Sequence, residues 1–408
     1  MTESDVGNGR RPERDLRIVD VRATIVNLPL EAEYVWATGR YPGATKVVIE
    51  VVTEGGIVGL GEAPHWRHAQ LVEKELKDRL RGAQADDLHS CWRRAIPPIE
   101  SLRNTDGTDV IRAYGGIEIA LWDIRAKAAG VPLYRLLGGA SRKTVKFAEY
   151  FSARIGNDRV AGESTPQEIG DYCRRMVEEH DSPVFEGKVG FRDLKTDIEV
   201  ARSVREAIGP DRILRLDANM AWRLPTAHRA LAELDEFDVA NVEDPVSSFE
   251  DMEKLRVHSA IPFSTHVPDL RRAVALGVPD SFVLNIMALG GIEKTLRFVG
   301  ACQEMGVGFS FYSGDTGIGT AAYLHLASAD AYLDAPSQSL LRWYTDDVIE
   351  GGPFQAEGGE IAVPDGDGLG VALDRSAIEA AHARFLRDGP IDQFGVDDRG
   401  FFVSVPAY

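Results

Sequence analysis

The chain has 408 residues, of which 44% are hydrophobic and 27% charged, with a formal net charge of −18. Those proportions predict a soluble globular protein with a large core. The acidic balance excludes a broad nucleic-acid or anionic-membrane surface, since both need clustered positive charge. No apolar run approaches the roughly 18 residues a bilayer span needs. The opening segment MTESDVGNGRRPERDLR is polar and lacks the apolar stretch of a secretory signal, so residues 1–15 are expected to be a disordered tail and the location cytoplasmic. Cys91, Cys173 and Cys302 form no CxxC pair, as expected of buried thiols in a reducing compartment.

Residues 17–29 and 46–60 are β-rich, and TKVVIEVVTEGGIVGLGEA is expected to fold as a hairpin turning at Glu54-Gly55-Gly56. Residues 71–95 and 108–129 have helical patterns, the second stopped by Gly130 and Pro132. The first 140 residues therefore predict an α+β domain, 16–140. Beyond about residue 144, short apolar strands alternate with amphipathic helices. The strand candidates are Val145–Phe151, Val184–Val189, Ile213–Asp217, Ala240–Glu243, Phe263–His266, Phe282–Ile286 and Gly308–Tyr312, with an eighth near Ser339–Trp343. A doubly wound open sheet is the alternative, but so long an unbroken run favours a β/α barrel over 141–365. Residues 366–408, helical at 376–387, are expected to return to the first domain.

In such a barrel the active site lies at the C-terminal strand ends. Those ends are polar: Glu186-Gly-Lys188, Asp217-Ala-Asn219, Glu243-Asp244-Pro245, Thr265-His266, Asn285, and Tyr312-Ser-Gly-Asp315. Asp217, Glu243 and His266, from three successive strands, suit a divalent cation with open positions. Ion pairing with Arg215 or Arg342 is the competing role for the acids. Lys188 beside such a cation is a candidate base, or a salt-bridge partner of Glu186 or Asp217.

At these residues the sequence resembles the enolase superfamily, in its mandelate racemase and muconate lactonising branch with glucarate-dehydratase-like relatives. The resemblance is carried by GGIVGLGEA (55–63), GGIEIALWDIRAKAAGVPLYRLLGG (115–139), LRLDANMAW (214–222), VEDP (242–245), LNIMALGGIEKTL (284–296) and GDTGIGTAA (314–322). It implies an α+β capping domain over a modified (β/α)7β barrel, a bound Mg²⁺, removal of the proton α to a carboxylate, and association into a homo-oligomer. Asp217 and Glu243 match the first two metal ligands, Asn219 the polar residue after the first, and Lys188 the second lysine of a Lys-x-Lys motif.

The chain also departs from that pattern. Glu186 replaces the first lysine, and His266 stands where a carboxylate or Asn is usual. Imidazole favours Mn²⁺ or another divalent ion over Mg²⁺, and Asp269 is an alternative ligand. Asn285 and Tyr312 occupy the positions of a racemase-like Asp–His dyad, and Asp315 matches an acid of the lactonising enzymes. With one evident base, racemisation is disfavoured. The expected chemistry is dehydration of a hydroxy-acid or acid sugar, with Lys188 as base and Tyr312, Asp315 or His266 as acid. Epimerisation, cycloisomerisation and a catalytically silent homologue are the alternatives.

The expected partner is a small carboxylate, met by Tyr150, Asn219, Asn285 and Glu186 and by cap residues among Tyr34, Trp36, Arg40, Tyr41, His65, Trp66, Arg67 and His68. Gly314–Gly319 is expected to shape a turn, because its spacing fails the dinucleotide pattern. Residues 364–370 also read as a turn.

Overall fold

The computed structural model describes residues 15–37, 39–97, 107–312 and 316–392. Residues 1–14 of the expected tail, and Asp315, lie outside them. Strands β1 (Ile18–Trp36), β2 (Gly39–Thr53) and β3 (Val58–Ala63) form an antiparallel meander. The β2–β3 turn is closed by Thr53, whose hydroxyl accepts from Ile57 N at 3.0 Å, with Gly56 at φ +80°. Helix Gly107–Ala129 lies directly on β3. A Cβ at Gly61 would sit 1.9 Å from Gly116 O, and one at Gly59 2.1 Å from Ala120 O, so only glycine allows this approach. The single helix expected over 71–95 is two. Helical turns over 67–80 stop where Arg81 turns extended before Gly82 at φ +78°, and Leu88–Ala95 restarts under an Asp87 cap.

Next come β4 (Thr144–Lys146) and β5 (Glu149–Phe151), then the short β6 (Arg154–Ile155) and β7 (Gly162–Glu163). The following strands are β8 (Val184–Lys188), β9 (Ile213–Asp217), β10 (Val239–Glu243), β11 (Phe263–Thr265), β12 (Ser281–Leu284) and β13 (Gly308–Phe311). β5 and β8 through β13 pair in chain order, and every pair is parallel. Helices alternate with them, for example Pro166–His180 behind a Thr165/Glu168 capping box and Leu194–Ile208 behind Asp193.

Closure comes from two residues. Ser337 bridges Phe147 and Gln338 bridges Tyr312, both in parallel sense. The eighth strand is thus Ser337–Gln338 and not the expected Ser339–Trp343. There the Ser339 hydroxyl accepts from Leu341 N at 3.0 Å and the chain coils into a 3-10 turn, Leu341–Trp343. The result is a (β/α)7β barrel.

The rest of the chain is joined to the first sheet at several points. β6 pairs with β1, extending the sheet to the order β3-β2-β1-β6-β7. Helix Arg375–Asp388 returns to β1, where Arg384 Nε donates to Asn27 O at 3.0 Å and Asn27 Nδ2 donates to Gly389 O at 2.8 Å.

One buried carboxyl gives the cap a pH-dependent contribution to stability. Glu118 accepts from Ile292 N at 2.6 Å, Glu293 N at 3.0 Å and Trp122 Nε1 at 2.8 Å. Burial nevertheless pushes it from 4.5 up to about 7. A raised carboxyl stabilises the fold fully below the unfolded value, and that contribution is lost as pH rises through about 7. From pH 4.5 to 8 the loss should be about 3 kcal/mol. Urea unfolding of Glu118→Gln should show a correspondingly shallower decline over that range; an unchanged slope would contradict it.

Candidate active site

Strand register sets the constellation. Lys188 lies beside Asp217, Asp217 beside Glu243, and Glu243 beside Ser264. The polar ends therefore meet at one mouth, roofed by the β1–β2 hairpin. The cavity there has a volume of about 400 Å³. From the barrel it is lined by Tyr150, Lys188, Asp217, Asn219, Glu243, His266, Tyr312 and Gln338. From the cap come Tyr34, Trp36, Tyr41, Lys46, His65 and Arg112.

Lys188 Nζ bonds Asp217 Oδ2 and lies 5.5 Å from the Trp36 ring centroid and 5.9 Å from that of Tyr150. Burial pulls this ammonium toward neutrality. Asp217, the Tyr150 and Tyr34 hydroxyls and Glu243 outweigh it and hold the group well above the ordinary lysine value. Asp217 also accepts from Asn219 N at 2.8 Å and Asn219 Nδ2 at 3.1 Å. Both Asn219 and Met220 adopt positive φ in this turn.

Glu186 does not pair with Lys188. Arg215 lies 2.5 Å from its Oε2, and Gln338 Nε2 donates to its Oε1. Gln338 Nε2 also donates to Glu243, so the two-residue eighth strand ties together carboxylates of the second and fourth strands. Arg342, the other expected partner, pairs with Glu149 at 2.9 Å. Burial, then Asp217, Asp244 and Glu186, push Glu243 well above the ordinary carboxyl value.

Behind Glu243, the fully buried Asp244 takes φ +44°. It accepts from Thr265 Oγ1 at 2.6 Å and pairs with His266 Nδ1. Burial of the half-exposed imidazole pulls its pKa down, but the Asp244 hydrogen bond together with the charges of Asp244 and Asp217 outweighs it and raises the group above its usual value. Donor atoms of Glu243, Asp244 and His266 lie within 4.8 Å of one another; Asp217 is turned to Lys188 instead. Carboxylates this crowded and this buried are short of positive charge, and oxygen donors with one imidazole fit a divalent cation. A carboxylate on Nδ1 leaves Nε2 for the ion, the usual arrangement of a metal-bound histidine.

The remaining expected residues divide. Trp36, His65, Tyr150 and Tyr312 line the cavity, and His65 is shifted downward by burial. Asn285 and Arg40 lie elsewhere. Asn285 caps the helix Ile286–Leu289, its Oδ1 accepting from Met287 N at 2.8 Å, and Arg40 is exposed on the hairpin. Neither lines the cavity. Asp315 lies outside the described residues, and Asp269 caps helix Leu270–Leu276. Sequence reasoning missed Lys46, Arg112, Gln338 and Asp392 as lining residues. Alternation along β2 could have flagged Lys46 as a charge in an otherwise buried strand.

The fold and the sequence both have close counterparts. The enolase C-terminal domain-like family matches residues 168–377, and the mandelate racemase/muconate lactonizing enzyme N-terminal domain matches 18–138. The chain is 28% identical to a probable glucarate dehydratase of Streptomyces coelicolor, over 92% of this chain and 93% of that protein. It is 27% identical to the chloromuconate cycloisomerase CbnB of Cupriavidus necator, over 89% and 98%. An enolase structure from Pseudomonas fluorescens with bound magnesium, potassium and tartrate superposes with a TM-score of 0.84 at 25% identity, covering 93% and 95%. The chain belongs to the mandelate racemase and muconate lactonizing branch of the enolase superfamily.

Proposed function

We propose that this protein is a Mg²⁺-dependent dehydratase of hydroxy-acids of the acid-sugar class. The observation that carries the reading is Lys188 on Asp217, at the edge of buried carboxylates short of cations, beneath a cavity walled by tyrosines. The dehydratase relative and the magnesium and tartrate of the neighbouring structure support it.

In this reading Asp217, Glu243 and His266 hold the cation, with Mn²⁺ an alternative, and Asp244 orients His266. The bound ion supplies electrostatic stabilisation of the charge that develops on the substrate carboxylate. Were Asp217 to serve as a ligand, Lys188 would lose the partner that holds its proton; Lys188 is the residue that removes the proton from the α carbon. The C–H electron pair forms the Cα=Cβ bond, the β C–O bond breaks, and Tyr312 protonates the departing hydroxide, giving water and an enol that becomes an α-keto acid. Gln338 and Arg215 hold Glu186 away from Lys188, so the base is not quenched from that side.

The test is a panel of mono- and dicarboxylic sugar acids with Mg²⁺ or Mn²⁺, analysed by mass spectrometry. The expected result is a product lighter by one water, formed only without chelator. A product of unchanged mass would replace this reading with the isomerase one, which the cycloisomerase relative supports.

A further inference from the structure

The cavity has a wall that the proposed chemistry does not use, formed by Tyr41, Lys46, His65 and Asp392. Asp392 comes from the segment after helix Arg375–Asp388 and reaches the cavity because two buried polar side chains of the cap hold that segment in place. Ile391 N donates to Thr45 Oγ1 at 2.9 Å, Thr45 Oγ1 donates to Asn27 Oδ1 at 2.8 Å, and Asn27 Nδ2 donates to Gly389 O at 2.8 Å. Asn27 and Thr45 are 1% and 0% exposed. Such groups are costly inside an apolar sheet unless bonded, and here the backbone of 389–391 satisfies them. The Ile391 side chain lies over Gly43, where a Cβ would come within 2.9 Å of it.

The half-buried Asp392 lies in the field of Lys46 and His65. Lys46 and Asp392 offset each other, leaving donors and an acceptor with little net charge. Arg112, the other cationic lining residue of the cap, is exposed, where water and salt screen it. Hydroxyls both donate and accept and so match this wall; a carboxylate only accepts, so it cannot bond Asp392 and is repelled by its charge.

We propose that Asp392 is a specificity-determining residue that accepts a hydrogen bond from a distal hydroxyl of a polyhydroxy monoacid and disfavours chains with a carboxylate at both ends. This rests on the acid-sugar reading above.

Matched aldonic and aldaric acids distinguish the outcomes. Wild type should favour the monoacid by about tenfold or more in kcat/KM, and Asp392→Asn should lower that ratio about tenfold, chiefly through KM. Thr45→Val, which removes the tether and a hydrogen-bond partner of the Asp392 side chain while keeping the carboxylate, should shift the ratio the same way. A wild-type preference for the diacid, or an unchanged ratio in Asp392→Asn, would overturn the proposal. If neither acid is dehydrated, the reaction assignment fails, and calorimetric titration of both acids with Mg²⁺ present reads the proposal directly. Monoacid preference that disappears in Asp392→Asn upholds it; equal binding of both acids by wild type overturns it.

Discussion

Replacing Lys188 with methionine should lower kcat by about 10³-fold or more, within the range a positioned general base contributes. Methionine keeps most of the buried stem volume, so the cavity wall under Trp36 and Tyr150 is retained while the ammonium is lost. Asp217 loses its ion-pair partner and remains available to a cation, so calorimetric Mn²⁺ affinity should hold or rise. The decisive measurement is exchange of the substrate α proton in D₂O, followed by NMR. Exchange within about tenfold of wild type would remove Lys188 from the base role, since an essential base carries at least about 10²-fold.

The largest effect on stability should come from Arg154. Its guanidinium is buried, bonding Glu163 through Nε at 2.7 Å and through a terminal nitrogen at 3.0 Å, and reaching Glu31 as well. It also lies 4.8 Å from the Tyr172 ring centroid and 4.9 Å from that of Trp343. Trp343 in turn packs on Tyr34 and Tyr150 in the cavity wall. Arg154→Met leaves Glu163 with Arg175 alone, 3.4 Å away and half exposed. Removing one partner of a buried pair costs about 3–5 kcal/mol, whereas replacing both with apolar groups is often close to neutral. Urea unfolding should therefore show a large loss in Arg154→Met and substantial recovery in Arg154→Met/Glu163→Leu. Equal midpoints for the single and double variants would show that the charge left behind is not the cause.

Much of the fold was legible because barrel strands repeat. Apolar runs ending in Lys188, Asp217, Glu243 and His266 recur at βα spacing, so strand ends and their common mouth follow from periodicity. The eighth strand had no such run. Ser337–Gln338 is held by neighbours on both sides and needs no hydrophobic pattern of its own, so Gln338 was invisible as a partner of Glu186 and Glu243. Asn285 shows the opposite case. Its position suggests a substrate contact, but Asn followed by a short apolar helix is also a capping signal, and its Oδ1 accepts from Met287 N. Arg112 and Asp392 reach the cavity only through long-range packing, which no local pattern reports.

The return of helix Arg375–Asp388 to β1 constrains how the protein is made. Asn27 and Gly389, bonded in the fold, are 362 residues apart in the chain. At about 5–20 residues per second, the first sheet leaves the ribosome tens of seconds before the helix that covers it. The barrel is synthesised in that interval and can close before the cap is complete. During that time the outer face of β1 is an uncovered edge for misassociation, so nascent chains halted before about residue 375 should be the ones that most need a holding chaperone.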